Sequence, residues 1–240
     1  LSTVDDAGFL IAGLNAHEIF PDWIALNNGS AHGLEASGEG IQVELTAQIH
    51  EHLESYKVSG AQHGTSGNSS EKLRQIASRT NTTKANVATA LQMVSWGVKV
   101  NDYGNAITDG EGNFKKVEGE GVGEESWQRM VSYAQEKGWS GGNYKNLNLP
   151  VDNWLMAQPR EVRERMVKRV EEVTYSMLAD VFNAADTAPL AMELLVNAGS
   201  HDIGNDASRI EDPSNWTREK IIARAQTLEV DKGPEGDFDD

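Results

Sequence analysis

There is no cysteine anywhere in the 240 residues. That absence excludes disulfides and thiolate metal sites, so any metal has to be held by His, Asp or Glu; it also fits a cytoplasmic protein. Basic residues are few, 21 against 37 acidic ones, and the formal charge of -16 has the wrong sign for a protein that neutralises a phosphate backbone. No run approaches the roughly 18 consecutive apolar residues of a transmembrane helix, and no signal peptide is visible. Nucleic acid and membrane are thereby set aside as partners, and a small molecule is expected.

An initiator methionine is lacking as well. The chain opens at Leu1 directly into a helical pattern, with Thr3 and Asp6 in capping-box relation ahead of Phe9, Leu10, Ala12 and Leu14. The expectation is a fragment whose N-terminal part lies upstream. Its length suits one large domain, read in three parts: strand-helix units over 1–103, a loop-rich insertion and long helix over 104–186, and a helical extension with an acidic tail over 187–240.

What is present is organised around residues 22–89. Three short apolar runs, Trp23 to Asn27, Val58 to Gln62 and Thr83 to Thr89, each end in a polar turn, and helical periodicity separates them. Such runs read as buried parallel strands joined by crossover helices. One of those helices carries Ile41, Leu45, Ile49 and Leu53 every four residues; another opens at Asn68-Ser-Ser-Glu71, an N-cap signature. The third starts at Thr89 and is expected to reach about Tyr103. His50 and His52, two apart, point to different faces and cannot chelate one ion together. Both are expected at the surface, as are His17 and His201.

From Gly104 to Asn153 the composition shifts to Gly, Asn and Glu, and only Glu124 to Lys137 looks helical. Asp109 to Asn113 lacks a calcium loop's ligand pattern and reads as a plain turn. The glycines at 119, 121 and 123 follow no strand, which removes the dinucleotide reading. Pro159 starts the longest helix, with the stripe Val162, Met166, Val170, Val173, Met177 and Val181. Further helices are expected from Pro189 to Ala198 and from Pro213 to about Leu228, ahead of a disordered acidic tail.

The chemistry gathers at the turns. His32 and His63 follow successive strands, at the carboxyl ends where open α/β sheets and barrels place their sites. Parallel neighbours lie roughly 5 Å apart, so both imidazoles could converge on one divalent metal; hydrogen bonding in the barrel mouth is the bland alternative. Gly64, Thr65, Ser66 and Gly67 can turn backbone N–H groups inward beside a helix start, an anion cradle with Thr89 as a second wall. A tight turn chosen for geometry alone is the rival reading.

Gly29-Ser-Ala-His32-Gly33, His63-Gly-Thr-Ser66-Gly67 and Lys84-Ala-Asn86-Val-Ala-Thr89 together resemble the last strands of class II fructose-bisphosphate aldolases. The resemblance is specific over residues 22–103, looser through Asn153-Trp154-Leu155 and the following helix, and absent after Asp186. It implies the C-terminal portion of a (β/α)8 TIM barrel and reversible cleavage of fructose 1,6-bisphosphate to dihydroxyacetone phosphate and glyceraldehyde 3-phosphate. Carried over, His32 and His63 are ligands of zinc or another divalent metal. Gly33, Gly64, Thr65 and Ser66 hold the phosphate, and Asn86, Val87, Ala88 and Thr89 line the substrate. The metal polarises the ketose carbonyl and stabilises the enediolate.

The sequence departs from the family in four places. The family's other metal-ligating histidine and its catalytic aspartate belong upstream, so no catalytic acid/base is expected in this chain, which should be silent alone. Ala88 stands where many members have aspartate, Thr65 replaces a glycine, and Leu34-Glu35 replaces an aromatic and a lysine. A homodimer or higher homo-oligomer is expected. A tagatose-bisphosphate or other ketose-bisphosphate aldolase is the nearest alternative. A Schiff-base aldolase using a buried Lys84 and a non-catalytic phosphosugar-binding protein are the others.

Overall fold

The computed structural model describes residues 1–29, 40–66, 68–101, 106–109, 113–199 and 206–227. Helix α1 spans Val4–Ala16, and its Thr3 cap accepts a hydrogen bond from Asp6 N. Three strands follow, β1 (Trp23–Ile24), β2 (Ser59–Gln62) and β3 (Thr82–Ala85), with α2 (Val43–His52) and α3 (Ser70–Arg79) as their crossovers and α4 (Thr89–Ser95) after the last. They form one parallel three-stranded sheet in the order β1-β2-β3. Its register pairs Trp23 with Ser59 and Gly60 with Thr82, then shifts so that Ala61 pairs with Lys84. The strand-helix alternation expected from the sequence is therefore present as a mixed α/β fold. A closed barrel is not formed by the described residues.

The helices cover the sheet with a small apolar layer. Ile11, Ile24, Ile49, Leu53 and Val58 are buried together, and Ile41, Leu73 and Ile76 make a second patch with Val181. His50 belongs to this interior and not to the surface: it is buried, with its ring seated so closely on β2 that a Cβ at Gly60 would fall 2.3 Å from it. The pairing argument correctly separated it from His52, which is exposed, but position 50 falls on the same helix face as Thr46 and Ile49. His50 Nδ1 has no hydrogen-bond partner among the described residues, and burial holds its pKa below the ordinary 6.5. The unfolded chain thus takes up this proton first as pH falls, so the neutral ring's contribution to stability is full above about pH 6.5 and is lost progressively below it. Denaturation curves between pH 7 and 5 should show wild type losing more stability than His50→Leu; equal losses would refute this.

A second and larger core lies beyond β3. Helix α4 ends at Ser95, well short of Tyr103, because Gly97 takes a positive φ of 79°. The β-branched Val98 and Val100 then enter antiparallel bridges with Lys116 and Ala106, and Thr108 pairs with Phe114 across the Asp109 turn. Around this ribbon pack Met93, Trp96 and Val122, together with Trp127 and Met130 of α5 (Glu124–Glu136). The segment after α5 is helical too: a 3-10 stretch runs from Gly141 to Leu147 and continues as α6 (Asn148–Met156). Tyr144, Leu147, Val151 and Leu155, three to four residues apart, are its buried face.

Helix α7 (Arg160–Ser176) lays Val162, Met166, Val170 and Val173 inward, half-buried, and finishes in a π-turn from Met177 to Val181. Helix α8 (Ala188–Ala198) has no buried residue. The expected helix at Pro213 breaks in two, a 3-10 turn over Pro213–Asn215 and α9 (Arg218–Thr227). This last segment straps across α1. Asn15 is buried; its amide donates to Ser208 O at 2.9 Å, and its oxygen accepts from Ile210 N and Glu211 N at 2.9 and 3.1 Å. Trp216 packs against Phe9 with ring centroids 4.8 Å apart and planes tilted by 59°, and rests on Gly13. Glu211 accepts from Tyr56 Oη and Trp216 Nε1, and burial together with this carboxylate pushes the Tyr56 hydroxyl up to about 12.

Candidate functional site

The ladder between β2 and β3 continues one step past the strands, where Asn86 N donates to Gln62 O at 2.9 Å. That step sets Asn86 beside His63. Its Nδ2 lies 3.1 Å from His63 Nε2 and 3.3 Å from Nδ1, so the ring's nitrogen edge faces an amide donor. Two of the expected site residues are thus brought together by parallel pairing of residues 23 apart. Lys84, on the same strand, is exposed and not buried as the Schiff-base alternative requires.

Beyond His63 the chain turns through Gly64, whose φ of 62° is left-handed and suited to glycine. Thr65 and Ser66 are buried in this turn. Ser66 Oγ accepts from Ala90 N at 3.2 Å, tying the turn to the start of α4 beside buried Thr89. The Ser66 hydroxyl proton remains available to a ligand. Thr65 Oγ1 has no partner among the described residues, and neither has the Thr65 N–H. Val87 is half-buried and Ala88 exposed. His32, Gly33 and Gly67 lie outside the described residues, so the expected pairing of His32 with His63 has no geometry here.

Three amides that sequence reasoning did not assign to the site build its base. Gln62 ends β2, Asn28 lies past the end of β1, and the two buried side chains bond reciprocally: Asn28 Nδ2 to Gln62 Oε1 at 2.8 Å, Gln62 Nε2 to Asn28 Oδ1 at 3.3 Å. Asn28 also donates to Thr46 Oγ1 of α2, and Gln62 to the His63 carbonyl. The third, Asn68, is not the cap of α3. Ser69 is, accepting from Lys72 N, and Asn68 is released to donate to Gly64 O at 2.8 Å and accept from Ile41 N at 3.1 Å. With Gln42 N bonded to Asn28 O at 2.8 Å, these amides pin both ends of the 29–41 segment to the His63 turn. The only hint in the sequence was polar residues at the ends of apolar strands, which must find partners when buried.

A family model for class-II fructose-bisphosphate aldolase matches residues 4–186. The chain belongs to that family. Neither curated proteins nor solved structures gave a match. The aldolase region runs from α1 to the loop after the π-turn, so it holds the sheet, the His63 turn and the second core; α8 and the strap over α1 lie beyond it. Membership implies lyase chemistry on a small sugar phosphate, in a family that typically uses a divalent metal. The described residues do not assemble such a metal site as they stand. They supply one imidazole whose nitrogen edge meets the Asn86 amide, and no group of three His, Asp or Glu side chains comes together among them, whereas a catalytic zinc takes three protein ligands.

Proposed function

We propose that this chain carries the substrate half of a class II ketose-bisphosphate aldolase that cleaves fructose 1,6-bisphosphate reversibly to dihydroxyacetone phosphate and glyceraldehyde 3-phosphate. The family match is the observation that carries the reading, and the adjoining His63, Asn86 and Gly64 turn supports it. In this reading Thr65 N–H and the Ser66 hydroxyl hold the ketose phosphate with Gly64 and Gly33, and Asn86 to Thr89 line the sugar. A divalent metal, zinc in the first instance, would be held by His63 and His32 with the Asn86 amide turned from the ring edge, and would supply polarisation of the ketose carbonyl. The absence of a carboxylate at Ala88 favours a sister reading, tagatose 1,6-bisphosphate or another ketose bisphosphate.

The three-part division at 103 and 186, a cytoplasmic location and a homodimer or higher oligomer belong to the same proposal. No described helix is long and apolar enough to cross a membrane, and the charge of -16 disfavours nucleic acid. The three strands among the described residues do not close a barrel, and the described site holds no acid/base carboxylate. A coupled assay of fructose 1,6-bisphosphate cleavage with added zinc should therefore read no turnover for the chain alone. Supplying the remaining strands of an eight-stranded barrel as a second fragment should produce turnover that a chelator abolishes. Full turnover by the chain alone would place the catalytic residues elsewhere. Chelator-resistant turnover with borohydride trapping at Lys84 would replace the metal reading, and phosphosugar binding without cleavage by the completed barrel would favour a binding protein.

A further inference from the structure

We propose that Asn68 is a positioning residue that locks the peptide between Gly64 and Thr65 in the orientation that presents the Thr65 N–H to a bound phosphate. This rests on the phosphate-cradle reading above and adds to it the group that keeps the cradle open. The Gly64 carbonyl and the Thr65 N–H are the two ends of one planar trans peptide and point in opposite directions. Asn68 Nδ2 donates to that carbonyl at 2.8 Å, so the N–H is directed away from Asn68, where no described residue accepts it. Gly64, left-handed at φ 62°, lacks the Cβ that would hinder rotation of this peptide in other residues. Without a holding group the carbonyl could turn to the ligand side and face an anion with a negative dipole.

The amide is itself oriented without ambiguity, because Gly64 O can only accept and Ile41 N can only donate. Asn68 is buried, so exchange of either bond for water is hindered. Its second bond reaches the base of the 29–41 segment, so one side chain fixes the cradle peptide and the end of that segment together. Ser69 caps α3 in its place, so helix initiation does not account for the amide at position 68.

The test uses inorganic phosphate as the probe, with binding read by thermal shift on wild type, Asn68→Leu and Asn68→Asp, and the Thr65 amide followed by 1H–15N correlation. Asn68→Leu keeps shape and charge but cannot donate, and should weaken phosphate about tenfold while moving the Thr65 cross-peak even without phosphate. Asn68→Asp keeps the acceptor for Ile41 N but not the donor to Gly64 O; it should retain more stability than Asn68→Leu and bind phosphate at least as poorly. A merely structural role would lower the melting temperature of both and leave phosphate affinity within about twofold of wild type; that result overturns the lock. If Asn68→Leu does not fold, wild-type phosphate affinity in Asn68→Asp overturns it equally. No saturable phosphate effect in wild type would overturn the cradle reading as well, whereas binding that survives in Asn68→Leu overturns the lock alone.

Discussion

His63→Ala is expected to abolish both divalent-metal binding and cleavage in the completed barrel. The imidazole is the one nitrogen ligand that the described site residues bring to the carboxyl ends of adjoining strands, and a small-site zinc that loses one of few protein ligands loses most of its affinity. The fold should survive, because His63 is half-buried and stands after the last residue of β2. Zinc per completed barrel, measured by metal analysis after dialysis against micromolar zinc, should fall from about one to near zero while the melting temperature holds. Asn86→Ala is the informative companion: its Nδ2 lies 3.1 Å from His63 Nε2 and competes for the ring edge. That variant should hold zinc as tightly as wild type or more so. Unchanged zinc in His63→Ala would remove this residue from the metal.

Gly121→Ala should cost more stability than any single change to the sheet. A Cβ there would lie 2.1 Å from the Trp96 carbonyl carbon and 2.2 Å from Gly97 N, at a φ of 59°. Both neighbours are backbone, so no flexible side chain can yield. Gly97 faces the same crossing of the chain from the other side, where an added Cβ would lie 2.3 Å from Glu120 O. Left-handed strain and a forced separation of two backbones beside buried Trp96 should together exceed about 4 kcal/mol, a large share of a domain's usual 5–15 kcal/mol. Gly119→Ala is the control: its φ of 79° is strained too, but nothing lies within 4 Å of the added Cβ, so about 1 kcal/mol is expected. Urea denaturation with near-ultraviolet circular dichroism of the tryptophans separates the two, and equal losses would refute the crossing as the cause.

The strand-helix alternation was legible because short runs are each followed by a helix with one apolar face, although β3 is polar and has no buried residue, against the expectation of buried strands. The Thr3 cap was legible for the same local reason. What escaped was non-local or mixed in signal. The face Tyr144, Leu147, Val151 and Leu155 is regular, but it begins in a 3-10 stretch amid Gly and Asn, whose turn propensity masks it. Val98 and Val100 continue the apolar periodicity of α4 yet belong to a ribbon, since Gly97 turns the chain before them. In the site, a motif could nominate His63, the Gly64 turn and Asn86, but only strand register says that the histidine ring meets the amide. The Asn28, Gln62 and Asn68 bonds span 34 residues or fewer, and no periodicity announces them.

The strap over α1 also has a consequence for the order of events on the ribosome. Asn15 is made well before the residues that satisfy its amide oxygen, Ile210 N and Glu211 N, which follow at separations of 195 and 196. Until that stretch leaves the exit tunnel, at a synthesis rate of about 5–20 residues per second, Ala12 and Ala16 of α1 lack the Trp216 ring that buries with them. Over that interval, then, α1 carries an uncovered face, and a nascent-chain holdase that binds there would have to leave before the strap can dock.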